Sequence, residues 1–467
     1  MRIILVVATV VAMGCGTKKN PEACCVDEAD CAGVGLPVGS TCDDGLLCRN
    51  NRCVELSCSS SASCDLLAPY CADGLCQEPC TDDAQCPGFG QTSAQRFCET
   101  AVCVECRAAM NDCGVAAPVC DAGTCRKCEL NDECNSGVCT ADGSCAAETS
   151  IAYVAPAGSA SSGCTRNEPC SFARALDPGI NRPYVVLANG SYQFAGTRDL
   201  DGLRSFIGEK GGRPRLSNTM AGPVFKLGSG ADIAFDNVEI RGATSTSPSA
   251  FDGNGIECPS NFQKSTVRVS RSVFTQNSVA GLLARQCNVE VRETTFVANA
   301  RGLEAVDVMG TIERSTFALN TGIGISLDAG LYSVTNNFIY RNPRGIDLNL
   351  TTAGSVFEFN TVADNSMTGV SCVANTGQFA FPNNLIGGNG NNIDPQPPGC
   401  VFSSSMIVAG DTAPLKFKSP SSIPYDYHLT PGSIAIDQIS TSTQVRDFDG
   451  EARPYGNGHD YGADELH

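Results

Sequence analysis

The 467-residue sequence contains no tryptophan, three histidines and an aromatic share of 6%. Without indoles the chain lacks the commonest platform for stacking a sugar ring. The histidines, His428, His459 and His467, all lie near the end. The long middle of the chain therefore has no imidazole for metal ligation or proton transfer. Positive charge is also short: 32 Lys and Arg stand against 50 Asp and Glu, giving -18 and a sequence pI of about 4.6. That balance argues against nucleic acid or anionic lipid headgroups as partners. The apolar run from Ile3 to Ala12 is too short to cross a bilayer as a stable helix. Cysteine is plentiful but uneven, with 23 of the 29 before residue 150 and 6 after it. Two regions of different physical character follow.

The N-terminus reads as an export signal. Arg2 is positive, the apolar run follows, and Ala12-Met13-Gly14 leads into Cys15. This resembles the lipobox of bacterial lipoproteins, with Ala12 where that family usually has leucine. The resemblance implies a signal peptide over 1–14, lipid on Cys15 and a tether over 15–22. It also implies a place in the bacterial envelope, at the outer membrane or cell surface, with the membrane as partner through the lipid. The competing reading leaves Cys15 to a disulfide. Removing Cys15 from the 23 leaves 22, an even set that suits a complete disulfide framework.

Residues 23–149 form an array. Cys58, Cys64, Cys71 and Cys76 make one copy, Cys80, Cys86, Cys98 and Cys103 the next, and Cys106, Cys113, Cys120 and Cys125 a third. Cys128, Cys134, Cys139 and Cys145 make a modified last copy, and a longer first copy runs from Cys24 to Cys53. Each copy is too poor in large apolar residues to bury a core, so two disulfides per four-cysteine copy are expected to replace it. Spacing leaves the connectivity open. Cys103-x-x-Cys106 and Cys125-x-x-Cys128 have the form of zinc half-sites, but they straddle copies and lack a nearby histidine, which favours disulfides. Acidic and amide residues before the second cysteine, such as Asp82-Asp83 and Asn131-Asp132-Glu133, read either as turn formers or as weak calcium sites. The array resembles the Dickkopf-like or EGF-like repeats of predicted myxobacterial lipoproteins.

From 150 to 410 the sequence predicts an all-β solenoid. Gly255, Gly281, Gly302, Gly324, Gly345 and Gly369 recur every 21 to 26 residues. An apolar column reads Phe274, Phe296, Phe317, Phe338, Val362, Leu385. A polar column before it reads Ser272, Thr294, Ser315, Asn336, Asn360, Asn383, and one after it reads Asn277, Asn299, Asn320, Asn342, Asn365, Asn389. Upstream segments such as Val267-Arg268-Val269 alternate with period two, the pattern of a strand with one face buried. Stacking these columns at strand spacing gives a right-handed parallel β-helix. Tyr153 to Gly158, a short helix candidate over Ala173 to Leu176 and Gly190-Ser191-Tyr192 resemble the entry segment of pectate-lyase-like β-helix proteins. Cys164 with Cys170, Cys258 with Cys287 and Cys372 with Cys400 are expected disulfides. Arg271, Glu293 and Arg314 form one outward column and Arg292 and Glu313 the next; alternating signs favour ion pairs over a polyuronate-binding row.

Residues 411–467 read as a capping segment. Leu429 to Asp437, Asp447-Phe448-Asp449-Gly450, Arg453-Pro454 and Asp460-Tyr461-Gly462-Ala463-Asp464-Glu465 resemble the terminal segment of "choice-of-anchor" bacterial β-helix surface proteins, with Ile434 and Tyr461 departing from that pattern. The resemblance implies fold and export, and no reaction. Asp447, Asp449 and Asp460 are candidate calcium ligands, with a hydrogen-bonded cap as the alternative; no other cofactor is expected. No catalytic residue stands out. A hydrolase needs paired carboxylates and a lyase a cation with an Arg or Lys base, and no column of Asp on successive coils supplies either. Tyr332 and Tyr340 are left as possible stacking platforms. The sequence thus points to a non-catalytic binding, adhesion or envelope structural module, with a polysaccharide or another surface ligand as partner. The alternative is a lyase acting on uronic-acid glycans.

Overall fold

The computed structural model describes strands at 46–49, 52–55, 70–72 and 75–77, then residues 80–86, 97–100, 102–107, 112–247, 251–260, 262–374, 378–394 and 399–467. Cys15, Cys58 and Cys64 lie outside the described residues, as do the side chains of Cys71 and Cys76. The chain divides into two units, one of residues 1–128 and 141–144, the other of 129–140 and 145–467.

The first unit is a series of two-stranded antiparallel hairpins, among them Phe97–Glu99 with Val102–Val104 and Val119–Asp121 with Thr124–Arg126. Disulfides join first to third and second to fourth cysteine of a copy: Cys80–Cys98, Cys86–Cys103, Cys106–Cys120 and Cys113–Cys125. Acidic residues ahead of the second cysteine have backbone partners. Asp83 accepts the Cys98 N–H at 2.8 Å and Asp82 caps a short 3-10 turn. These carboxylates hold the hairpin to the turn, as turn-forming residues do.

The second unit is a right-handed parallel β-helix of three sheets with nine, ten and nine strands. In each coil a strand of the first sheet, such as Asn288–Arg292, leads to one of the second, Thr295–Val297, and one of the third, Arg301–Val306. The strand-sized apolar alternation is what the pairing uses: Val289 and Val291 stack on Val267 and Val269 with their side chains inside. Phe274, Phe296 and Phe317 form an interior stack with centroids 4.7 and 4.8 Å apart.

Two of the three corners repeat one device. A residue with positive φ is followed by a buried polar side chain. At the first corner Arg271, Glu293, Arg314 and Asn336 have φ between 47° and 54°; at the second Gln276, Ala298, Leu319 and Arg341 have φ between 55° and 58°. The left-handed region costs about 1 kcal/mol for such residues. The buried ladder offsets that cost. The Asn299 Oδ1 accepts both the N–H and the Nδ2 of Asn277, and its own Nδ2 donates to the carbonyl of Phe274 and to the Oδ1 of Asn320. Asn320, Asn342, Asn365 and Asn389 continue the pattern.

Register at the first corner differs from the expected columns at two coils. The buried ladder is Ser272, Thr294, Ser315, Asn337, Asn360, Asn384, and the apolar column is Phe274, Phe296, Phe317, Ile339, Val362, Ile386. Asn336 and Asn383 are the outward corner residues, and Phe338 and Leu385 face away from the interior. The sequence offers Asn-Asn twice and two apolar neighbours after each pair, so a one-residue slip satisfied the pattern while exchanging inside for outside.

The glycine column is needed for space. A Cβ on Gly281 would sit 2.7 Å from the Gly302 carbonyl oxygen. The short helix Phe172–Ala175, capped by the Ser171 side chain, closes the entry, and Cys164–Cys170, Cys258–Cys287 and Cys372–Cys400 are all bonded.

One expected boundary shifts, and the terminal segment has a larger role than a cap. The unit boundary falls inside the last cysteine copy and not at 149, because Val138 and Ala146 pack with Ile151, Tyr153, Val186 and Ile207 on the outer face of the first coils. That segment carries the Cys134–Cys145 bond; Cys128 and Cys139 are disulfide-bonded too. Residues 411–467 do more than close an end. Their hairpin Phe417–Ser419 with Asp426–Leu429, and the loops after it, cover the outer face of the second sheet, burying Phe338, Ala363 and Leu385.

The register carries a direct test. Asn337→Ala strands the Ser315 N–H and the carbonyls of Ile312 and Thr335 in the interior, and should cost about 3 kcal/mol of unfolding free energy. Asn336→Ala loses one bond to the Arg446 carbonyl and should cost about 1 kcal/mol. Urea unfolding of both variants gives the comparison; equal losses would return Asn336 to the buried column.

Candidate binding surface

Charges on the coil exterior are matched in place. Arg292 lies 3.2 Å from Glu313, Arg314 pairs with Glu293, and Arg268 sits between Asp232 and Glu290. On the third sheet Arg301 pairs with Glu304 and Arg344 with Asp347. Arg271 turns from the expected column to Asp236 and Asp132. Exposed pairs of this kind add about 0.5 kcal/mol each, so their effect is chiefly to neutralise the surface and fix register. Tyr332 is no stacking platform: it is 2% exposed, with its hydroxyl donating to the carbonyls of Ala305 and Asp328. Tyr340 is covered by Tyr427, with ring centroids 4.4 Å apart.

Two of the candidate calcium ligands, Asp447 and Asp460, accept backbone N–H groups. Asp447, fully buried, accepts the N–H groups of Glu451 and Glu465. Asp460 accepts those of Asp437 and Leu466. Around them Arg453, whose side chain is fully buried, donates to Glu465 at 3.0 Å and to the carbonyls of Asp460 and Gly462, with its guanidinium 4.4 Å over the Phe359 ring. The terminal sequence signature is thus a buried ionic network holding the segment to the coils.

Asp449 belongs to a different group. His428 has Asp426 on Nδ1 and Asp449 3.0 Å from Nε2, and His428, Asp449 and Asp464 lie close enough to share an ion. Burial alone would lower the His428 pKa, but its bonds to Asp449 and Asp426 and the Asp464 charge raise it to about 9. Burial raises Asp464 to about 6 against the pull of the Leu429 N–H. Sequence reading missed His428 and Asp464, although Asp464 stands in the quoted terminal motif and His428 directly precedes that motif.

A cleft lies within the second unit. Its volume is roughly 800 Å³, within the range of small-molecule sites. Its floor is Tyr153 and Val186 on the outer face of the first sheet. One wall is 131–137 of the last cysteine copy and the other is the corner loop 208–213. The wall is fastened by Asn131, which donates to Asp236 at 2.7 Å, and by Tyr153, whose hydroxyl donates to the Ser136 carbonyl. Four cations enter the cleft. Arg166 is held by Glu148 and the Asn135 carbonyl, Arg271 by Asp236, and Lys210 and Arg213 stand on the loop beside Glu209. None of these loop residues was singled out in the sequence, because loop 208–213 lies before the regular coil repeats.

Comparison with known proteins agrees with this architecture. A family model described as "Right handed beta helix region" matches residues 254–411. "Protein psiR" of Dictyostelium discoideum is 33% identical over 127 residues, which is 26% of this chain and 12% of that protein. The chain therefore spans about an eighth of that relative's length. Among solved structures, pectate lyase Pel9A is similar with a TM-score of 0.48 and 16% identity, covering 69% of this chain and 100% of that one. The A-module of Azotobacter vinelandii mannuronan C-5 epimerase AlgE4 gives a TM-score of 0.34 at 14% identity, over 48% of this chain and 67% of the module. A double mutant of the periplasmic alginate epimerase AlgG gives 0.35 at 11%, over 55% and 84%.

The His428 group yields a pH prediction. Its pKa is above the ordinary histidine value of about 6.5, so the folded state keeps a proton the unfolded chain releases. That stabilisation is complete below about pH 6.5 and is lost as pH rises through 9. The melting temperature should fall between pH 7 and 10, and His428→Gln should flatten that fall. An unchanged slope in the variant would assign the pH dependence to other groups.

Proposed function

We propose that this chain is an exported, lipid-anchored surface protein whose β-helix is a non-catalytic binding module for a polysaccharide or another surface ligand. The carrying observation is the consumption of the coil charges. The Arg and Glu columns of the coil exterior neutralise one another, and the scaffold beneath is locked at two corners of successive coils. A lyase or hydrolase would need a base or a carboxylate pair held free in a groove. The lipid on Cys15 would place the module at the envelope, and the disulfide hairpins suit an oxidising compartment. What binds would do so on a rigid surface, with little ordering cost. One observation favours the lyase reading: the cleft sets Lys210 and Arg213 beside Glu209.

Incubating the full disulfide-bonded protein with uronic-acid and neutral polysaccharides, with and without calcium, separates the two. The expected result is retention on at least one polysaccharide in a pull-down, with no unsaturated product and no new reducing ends. Product release would overturn the non-catalytic reading. Failure to bind any glycan would remove the polysaccharide as ligand.

A further inference from the structure

In the corner loop 208–213 three carbonyls are occupied and four amides are free. Asn237 Nδ2 donates to the carbonyls of Gly208, Glu209 and Gly212 at 3.3, 3.3 and 2.8 Å. The Glu209 N–H is bonded to the Leu187 carbonyl. The next four N–H groups, from Lys210 to Arg213, have no acceptor among the described residues. A trans peptide directs its N–H opposite to its carbonyl, so the amides of Lys210 and Arg213 face away from Asn237. Gly211, at φ +81°, supplies the left-handed step that gathers successive N–H groups into a concave seat for an anion.

Two cations stand at that seat. The Arg213 guanidinium reaches the Arg271 carbonyl at 3.2 Å and has no carboxylate partner among the described residues. The Lys210 ammonium donates to the Asp132 carbonyl at 3.2 Å and lies 3.9 Å from the Asp132 carboxylate, with its side chain 71% exposed. Coil arginines such as Arg292 and Arg314 are paired with carboxylates, and the chain as a whole is at -18. An arginine without a carboxylate partner and four unbonded amides in one cleft therefore gather hydrogen-bond donors at one place in an acidic protein. Arg213 supplies a planar fork for two oxygens, and the amides supply further donors of fixed direction.

From this geometry we infer that the cleft is an oxyanion-binding site, taking a sulfate, phosphate or carboxylate group carried on a sugar. The sugar rests on the binding-module reading; the oxyanion does not. The Tyr153 and Val186 floor offers apolar area for a ring face, and the cleft is far larger than a lone ion needs.

Isothermal titration of the full disulfide-bonded protein tests this with four probes: a sulfated hexasaccharide, a carboxylated oligogalacturonate of the same length, a neutral oligosaccharide of that length and inorganic phosphate. A charged oligosaccharide should bind and the neutral one should not, more weakly as salt is raised. Arg213→Ala and Lys210→Ala should each weaken binding about tenfold, whereas Arg292→Ala, on the coil exterior against Glu313, should leave it unchanged. Both loop side chains are exposed, and melting curves confirm that the variants fold. The preferred oligosaccharide distinguishes sulfate from carboxylate. Phosphate binding lost in Arg213→Ala, with no oligosaccharide bound, would keep the oxyanion site and sink the glycan. Equal binding of neutral and charged chains, no binding of any probe, or equal effects of Arg213→Ala and Arg292→Ala would overturn the site.

Discussion

The β-helix depends on one interaction, the amide-to-amide bond that runs along its axis inside two corners. A corner must turn the chain sharply, and the chain does so by placing ordinary residues such as Glu293 and Leu319 in the left-handed region. A turn of that kind leaves backbone groups unpaired in the interior, where each would cost at least as much as the strain itself. Asparagine answers both needs, because one side chain carries a double acceptor and two donors. Asn342, for example, accepts from the backbone and amide of Asn320 and donates to Phe317, Tyr340 and Asn365. The phenylalanine stack, the glycine column and the outward ion pairs all presuppose the coil spacing that these bonds set.

The terminal segment rests on that frame in a different way. The coils leave Phe338 and Leu385 pointing outward from the second sheet, and the segment buries them. Its own polar network is costly to bury, and Arg453 with Glu465 is the centre of it. The network gains its worth by being complete: Asp447 and Asp460 spend their oxygens on backbone N–H groups that irregular chain would otherwise leave unpaired.

Much of this was legible in the sequence because the repeat is short and its columns are chemically distinct. The Asn277-to-Asn389 ladder could be read directly, since none of these asparagines has a second asparagine beside it. At Asn336-Asn337 and Asn383-Asn384 the same residue occurs twice in succession, and only pairing in space selects the inner one. The cleft was hidden for another reason. Its wall comes from the last cysteine copy and its loop from an early coil with no repeat partner, so no periodicity links Asp132 with Arg213. Tyr332 failed as a platform because the third corner carries it inside, which a single tyrosine among polar residues does not announce.

The corner device has a consequence for growth of the structure. Between Asn299 and Asn320 lies one full coil that receives a bond from the coil before and hands an identical one to the coil after. Nothing in that exchange identifies which coil it is. A duplicated segment inserted in phase would meet the same partners above and below, and the outward corner positions, held by Arg, Glu, Leu and Ala in turn, place few demands on what they carry. Length and surface chemistry can therefore change independently in such a scaffold, with the interior acting as a ruler whose marks are one coil apart.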